Sequence, residues 1–280
     1  MSEFIFVVDQ QFNNKKPLDF LSEMGVSDVI LKKVKFGGIF INGNVLKNAN
    51  ERLCFGDELK IVLPPDEPNP YIVPIKSPID ILYEDQYLIA VNKPKGMLTH
   101  SSKHNQTVTL EQVVCGYFLP LPFTFRAVNR LDKDTSGIVL IAKDAYTASL
   151  LGEQIKEGKM QKTYSALVVG ELPSEHFIIE KPIKRLNPSS IKRTCADDGQ
   201  SAKSECTLAK RLNNGKSLID VRLHTGRTHQ IRVHLSSVGL PLFADGLYGE
   251  KVEGQTYTLH AKELKFIHPI TKKEVVIIAE

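Results

Sequence analysis

The sequence has 280 residues, of which 42% are hydrophobic and 24% are charged, and its formal net charge at pH 7 is +4. This composition is ordinary for a folded globular protein, and the mild positive charge permits a polyanionic partner without requiring one. No apolar run approaches the roughly 20 residues of a membrane span, and we expect neither membrane association nor a secretory signal. The widely spaced cysteines favour free thiols in a reducing cytoplasm; they are Cys54, Cys115, Cys195 and Cys206.

The first 64 residues have the pattern of a small module. Two short helices are predicted, over Leu18–Met24 and Asp28–Lys35. In the second helix, Val29, Ile30 and Val34 form an apolar stripe that we expect to face a core.

Short strands and tight turns follow these helices. Asn42-Gly43-Asn44 lies between two apolar runs, and Phe55-Gly56-Asp57 precedes a strand at Glu58–Leu63. Two helices followed by this arrangement resemble the alpha-L RNA-binding domain, first known from a ribosomal protein. The resemblance implies an RNA-binding module over residues 1–64. It favours phosphate contacts, over a merely solvated helix face, for Lys32, Lys33 and Lys35.

Residues 65–78 are rich in proline and read as a stiff linker to a second domain over residues 79–280. That domain opens with two strands, Ile81–Asp85 and Tyr87–Pro94, joined by a turn. A helix over 110–118 is predicted next, with Thr109 as its cap.

A buried strand is predicted at Ile138–Ala142, where five apolar residues stand in a row. The polar segment Asn129–Gly137 before it is a loop that ends in Thr-Ser-Gly, and such a loop can present the carboxylate of Asp132 at a fixed point. On residue type alone, a turn cap or an ion pair with a surface lysine is the commoner role of such an aspartate.

The remaining elements mix helices and strands, which predicts an α+β arrangement. A helix capped by Thr228 is expected after the turn at Thr225-Gly226-Arg227. The other predicted elements are a helix at Ala145–Lys156 capped by Asp144, strands at Lys162–Val169 and Ser217–His224, and a closing hairpin of Thr258–Ile267 with Glu274–Ala279.

Two motifs identify a family resemblance. Asn129–Gly137 resembles the signature His/Asn-Arg-Leu-Asp-x-x-Thr-Ser-Gly of the RluA family of RNA pseudouridine synthases, in which histidine is commoner than the asparagine found here. Leu223–Arg232 resembles the family motif Leu-x-Thr-Gly-Arg-x-His-Gln-Ile-Arg and matches it at every specified position. The resemblance extends from about Phe36 to Glu280. It implies an α+β catalytic domain with a mixed, largely antiparallel sheet.

The resemblance also implies roles for individual residues. Asp132 corresponds to the essential aspartate of the family, and Arg227 to an arginine that pairs with it. A guanidinium beside a carboxylate favours the ionised form and fixes its orientation. Arg130 is assigned to substrate binding, whereas Arg232 is assigned a structural or RNA-facing role.

Two further residues are assigned to the substrate through weaker matches. Tyr164, in a Lys-x-Tyr sequence, is similar to a family tyrosine that stacks on the target base, although a strand tyrosine is more often a core residue. Leu259, in Leu-His-Ala, is similar to a family residue in the apolar wall of the site.

The implied function is isomerisation of uridine to pseudouridine in structured RNA, with 23S rRNA as the favoured substrate. The reaction is redox-neutral and implies no cofactor and no metal. Asp132 would either attack C1′ or remove a sugar proton, and the sequence leaves both open. A tRNA-directed synthase and a non-catalytic RNA-binding or ribosome-assembly factor are the alternatives. We further expect a cytoplasmic monomer.

Overall fold

The computed structural model describes residues 2–65, 67–101 and 107–280. Its N-terminal part contains β1 (Glu3–Val7), α1 (Pro17–Glu23), α2 (Asp28–Val34), β2 (Ile39–Ile41), β3 (Asn44–Val45) and β4 (Glu58–Val62). The strands form an antiparallel sheet in the order β1-β4-β2-β3. Strand β1 is absent from the predicted elements, although its burial alternates as expected of a half-buried strand.

Helix α2 packs through Ile30 and Val34, which share a core with the sheet. The predicted stripe is wrong at Val29, which is 66% exposed. Residues four apart lie on one face of a helix, whereas residue 29 is rotated about 100° from residue 30.

The second part of the chain is a mixed α+β unit. Its helices are α3 (Leu110–Tyr117), α4 (Ala145–Lys156) and α5 (Gln230–Ser236). Its strands are β5 (Ile81–Glu84), β6 (Leu88–Lys93), β7 (Ser136–Ala142), β8 (Gln161–Val169), β9 (His176–Glu180), β10 (Ile183–Arg185), β11 (Arg193–Cys195), β12 (Lys203–Arg211), β13 (Lys216–Leu223), β14 (Leu259–Ile267) and β15 (Glu274–Ile278). Strands β10 and β11 form a separate two-stranded hairpin.

The large sheet has the strand order β5-β6-β7-β14-β8-β13-β12-β9, and β15 pairs with β14 outside that path. Within the described residues its neighbouring strands run antiparallel, except that β7 and β14 are parallel. The predicted α+β fold with a mixed, largely antiparallel sheet is therefore confirmed.

Strand β7 lies in the middle of this sheet, and Ile138–Ala142 are each at most 1% exposed, as predicted. Its parallel neighbour β14 comes so close that a Cβ on Gly137 would lie 2.3 Å from the carbonyl oxygen of Ala261. Gly137 also has φ +106°, which other residues rarely adopt. This close parallel pairing places the loop before β7 beside Leu259, at the start of β14.

Side-chain caps begin two of the helices as predicted. Thr109 forms a reciprocal capping box at α3, and Asp144 accepts the backbone N–H of Thr147 at α4. The prediction for α5 is wrong, because Thr228 does not cap it. His229 precedes that helix in a left-handed conformation with φ 58°.

The two parts of the chain share a hydrophobic core. Tyr146 of α4 packs edge-on against Phe4 with 4.7 Å between ring centroids, and its hydroxyl donates a 2.7 Å hydrogen bond to the carbonyl of Met24. In the linker, the backbone N–H of Ile75 donates to the carbonyl of Gln112 in the second part. None of the helices in the described part of the chain has the length and apolar character needed to cross a membrane.

Candidate active site

Asn129 anchors the start of the polar loop before β7. Its buried side-chain amide donates to the carbonyl of Ile138 at 2.9 Å and accepts the N–H of Leu140 at 2.8 Å. The amide thus pairs with β7 as the backbone of a neighbouring strand would. Leu131, two residues after Asn129, is also held in place, because its carbonyl accepts a 2.9 Å hydrogen bond from Thr99 Oγ1. This bond fixes the residue before Asp132.

A buried lysine supports the loop from beneath. Lys93 is fully buried, and its ammonium group donates to the carbonyls of Pro94, Met97 and Lys133 at 2.7 to 3.1 Å. Burial lowers the pKa of Lys93 to about 8, against the opposing charges of Asp134 and Asp132. The conformation around Asp132 therefore depends on a charge held inside the protein.

The side chains assigned to the substrate by sequence all line one cavity of about 70 Å³; they are Arg130, Asp132, Tyr164, Arg227 and Leu259. The side chain of Asp132 is 32% exposed. It also lines two larger neighbouring cavities, of about 580 and 520 Å³. The carboxylate therefore lies where a narrow pocket meets wider clefts.

The predicted pairing of Arg227 with Asp132 is wrong. The guanidinium near the carboxylate belongs to Arg232, whose Nη1 lies 3.6 Å from Oδ2 of Asp132. Arg227 is exposed instead, and its Nε donates to the carbonyl of Ser201 at 3.0 Å. Arg227 still lines the cavity, so its assignment to substrate binding remains a prediction.

Arg232 is held rigidly on the first turns of α5. Its Nε and Nη2 donate to the two oxygens of Asp245 at 2.7 and 2.8 Å, a bidentate pair. Its guanidinium lies over the rings of Tyr257 and Tyr248, at 4.3 and 5.0 Å from the centroids. Although burial opposes the charge, the hydrogen bonds to Asp245 raise the pKa of Arg232 above its ordinary value. The site therefore contains a permanent cation beside Asp132.

His229 is a second neighbour of Asp132 that the sequence motif contains but to which no role was assigned. Its Nε2 lies 3.8 Å from Oδ2 of Asp132, and its Nδ1 lies 2.8 Å from the hydroxyl of Tyr248. Burial lowers the pKa of His229; the charge of Asp132 opposes this, and Arg232 adds to it. The uncharged ring is therefore favoured at neutral pH.

Tyr164 and Leu259 form the inner wall of the pocket. Both are buried, on the adjacent strands β8 and β14, and both also belong to the main hydrophobic core. Burial, and then the charge of Asp132, raise the pKa of the Tyr164 hydroxyl. Tyr164 is thus a core residue whose ring also borders the cavity of Asp132.

The lysines assigned to RNA lie elsewhere. Lys32, Lys33 and Lys35 are exposed on or just after α2 and do not line the cavity of Asp132. The ammonium group of Lys35 lies 5.6 Å from the ring centroid of Phe36, which is 87% exposed. The placement is compatible with contact to a polyanion, and also with a solvated helix face.

Comparisons with known proteins match this fold and site. The model of the RNA pseudouridylate synthase family matches residues 87–237. A Bacillus subtilis protein described as an uncharacterized RNA pseudouridine synthase is 33% identical over 92% of each chain. Ribosomal large subunit pseudouridine synthase D of Buchnera aphidicola is 31% identical over 94% of this chain and 89% of its own. The human RNA pseudouridylate synthase domain containing 1 protein has a TM-score of 0.60 at 24% identity, covering 72% of this chain and 83% of its own, which supports the fold.

The α+β fold, the aspartate beside a guanidinium and a buried tyrosine, and the matches to known proteins agree. The protein is an RNA pseudouridine synthase, an isomerase that acts on RNA. The chain is a member of the RluA family of these enzymes, as the motifs around Asp132 and His229 indicate.

Proposed function

We propose that Asp132 is the catalytic carboxylate of this enzyme and that large-subunit rRNA is its substrate. The observation that carries the first part is the position of Asp132, at a cavity with Arg232 at 3.6 Å and with Tyr164 in its wall. The second part is supported by relatives named ribosomal large subunit pseudouridine synthase D.

The reaction breaks the bond between N1 of uracil and C1′ of ribose and forms a bond from C5 to C1′. The hydrogen on C5 passes to solvent, and N1 takes up a proton, so that the product is an isomer of the substrate. Asp132 acts either by attack on C1′ or by removal of a sugar proton, and both need an oriented, unprotonated oxygen.

The target uridine has to leave the base stack before Asp132 reaches its sugar, at a cost of a few kcal/mol. The ring of Tyr164 supplies a flat surface for the extruded uracil, and Leu259 supplies an apolar wall beside it. Arg130 is exposed and close to Asp132 in sequence. Its guanidinium can contact the RNA backbone, or fill the space that the extruded uridine leaves in the base stack.

We extend the proposal to the N-terminal part, residues 1–64, as an RNA-binding module joined by the segment 65–78 to a catalytic domain over 79–280. Lys32, Lys33 and Lys35 are its expected phosphate contacts, and each should add to the salt dependence of RNA binding. The enzyme is proposed to act as a monomer in the cytoplasm, where ribosomes are assembled.

The test is release of tritium from RNA labelled at C5 of uridine, since formation of the C5–C1′ bond expels that hydrogen. The RNA comes from cells that lack the enzyme, so that its target site is unmodified. We expect release by the wild type and none by Asp132→Asn. Asp134→Asn is the matched control, because it removes a carboxylate from the same loop and should retain activity.

Release by Asp132→Asn at the wild-type rate would contradict the role of Asp132. Separate assays on purified rRNA and tRNA decide between the two substrate classes. Absence of release from both RNAs, with binding intact, would favour a non-catalytic RNA-binding factor.

A further inference from the structure

Both ring nitrogens of His229 face a polar group: Nδ1 is hydrogen-bonded to the hydroxyl of Tyr248, and Nε2 lies 3.8 Å from Oδ2 of Asp132. We propose that His229 is a positioning residue, whose Nε2–H holds Oδ2 of Asp132 so that Oδ1 is the oxygen that meets the substrate. The inference rests on the proposed catalytic role of Asp132.

Tyr248 determines which nitrogen of His229 carries the proton. The phenol oxygen of Tyr248 accepts the backbone N–H of Arg193 at 2.7 Å. Its own single proton needs an acceptor, and among the described contacts that acceptor is Nδ1 of His229 at 2.8 Å. An uncharged ring with Nδ1 as an acceptor carries its proton on Nε2, the nitrogen that faces Asp132.

The same oxygen of Asp132 faces both neighbouring donors. Nη1 of Arg232 lies 3.6 Å and Nε2 of His229 lies 3.8 Å from Oδ2. Both distances exceed a normal hydrogen bond, so the donors restrain this oxygen electrostatically and can close on it when substrate enters. The geometry therefore makes the two carboxylate oxygens unequal, with Oδ1 left for the reaction.

The backbone at His229 gives independent support. Its φ of 58° is a left-handed conformation that costs energy in any residue other than glycine, although asparagine, aspartate and histidine adopt it more readily than the rest. Glycine would suit this conformation better if only the turn before α5 mattered. The side chain therefore contributes something that compensates for the strain, and its contacts are with Tyr248 and Asp132.

Two variants of His229 separate a donor role from a backbone role. In His229→Gln, the side-chain amide reaches the position of Nε2 and can still donate towards Asp132. In His229→Asn, the amide reaches only the position of Nδ1, but asparagine, like histidine, adopts the left-handed backbone more readily than glutamine does. The donor role predicts more activity in the Gln variant, whereas a purely structural role predicts more activity in the Asn variant.

The measurement is the rate of tritium release at saturating and at limiting RNA. We expect His229→Asn to lower kcat by roughly 10- to 100-fold, with KM changed less than about threefold, since misplacement of a catalytic group has costs of this size. The Gln variant should recover most of kcat. Tyr248→Phe should lower kcat in the wild-type background and add little in the His229→Asn background, because the two side chains act through one contact.

Equal loss in the Gln and Asn variants, a better Asn variant, or a loss confined to KM would overturn the proposal. So would wild-type activity in both variants. Each of these results leaves the assignment of Asp132 intact, because Asp132→Asn tests that assignment in the same assay. Thermal unfolding of each variant shows whether its activity is measured on folded protein.

Discussion

Lys93 shows how one buried charge can support the loop that contains Asp132. Its ammonium group is fully buried and bonds to carbonyl oxygens of the loops around Asp132. The pKa of Lys93 is lowered from its ordinary value of 10.5 to about 8, chiefly by burial. The unfolded chain therefore keeps this proton at pH values where the folded chain has released it.

Stability should consequently respond to pH through Lys93 in an unusual direction. Below pH 8 both states are protonated, and the full cost of burying the charge is present. Between about pH 8 and 10.5 the unfolded state binds more protons, so this cost disappears as pH rises. We expect the free energy of unfolding of the wild type, relative to Lys93→Met, to increase over that range by about 3 kcal/mol.

Urea unfolding at several pH values measures this difference. Lys133→Met is the control for removal of a lysine from the same loop, because its side chain is exposed. A difference between wild type and Lys93→Met that did not change with pH would show that Lys93 is not titrating in the folded protein.

Single residues also show where sequence inference reaches its limit. The residues that the motifs assigned to the substrate, among them Asp132, Arg130 and Tyr164, line one cavity. It did not reveal whether Arg227 or Arg232 faces the carboxylate. That choice depends on Asp245, which lies on a later loop and turns the guanidinium of Arg232 towards the site.

At the scale of elements, the best-predicted segments carry their signals locally. Strand β7 is an unbroken apolar run, and α3 and α4 begin at side chains that cap them. The start of α5 was mispredicted, because it is fixed by a contact that spacing does not reveal. There the side chain of Gln230 accepts the backbone N–H of Arg227 at 2.9 Å and donates to the carbonyl of Lys203.

The close parallel pairing of β7 and β14 requires glycine at position 137, and a substitution tests this requirement. Gly137→Ala would place a methyl group 2.3 Å from the carbonyl oxygen of Ala261, at a φ that alanine rarely adopts. We expect a loss of several kcal/mol in the free energy of unfolding, since neither strand can move without disturbing the central sheet.

Gly152→Ala is the matched control for this substitution. Gly152 lies within α4, and an added Cβ would meet nothing within 4 Å. Alanine there should stabilise the protein by about 0.5 to 1 kcal/mol through helix propensity. Chemical denaturation of both variants checks the pair, and similar stabilities would contradict the predicted clash.

For the whole molecule, the sequence predicted two units joined by a proline-rich segment. It did not predict how the units pack, because the periodicity of a helix or strand shows which face is buried but not which element covers it. The structure places Tyr146, a residue of the catalytic part, in the core of the N-terminal part. Burial raises the pKa of its hydroxyl to about 12, consistent with a phenol that stays protonated and donates to Met24. The RNA-binding lysines proposed on α2 therefore have a defined orientation relative to Asp132.

Truncation of Tyr146 tests whether this packing couples the two parts. Calorimetry of the wild type should show one cooperative transition, because Tyr146 and other side chains of the second part complete the core of the N-terminal part. Tyr146→Ala should remove about 3 to 5 kcal/mol of stability and separate an early transition of the N-terminal part. Tyr71→Ala is the control, because Tyr71 is 83% exposed, and this variant should unfold as the wild type does. If Tyr146→Ala retained a single transition at the wild-type temperature, Tyr146 would contribute nothing to the coupling. Two separate transitions in the wild type itself would instead mean that the N-terminal part is a tethered module, with no fixed orientation relative to the cavity of Asp132.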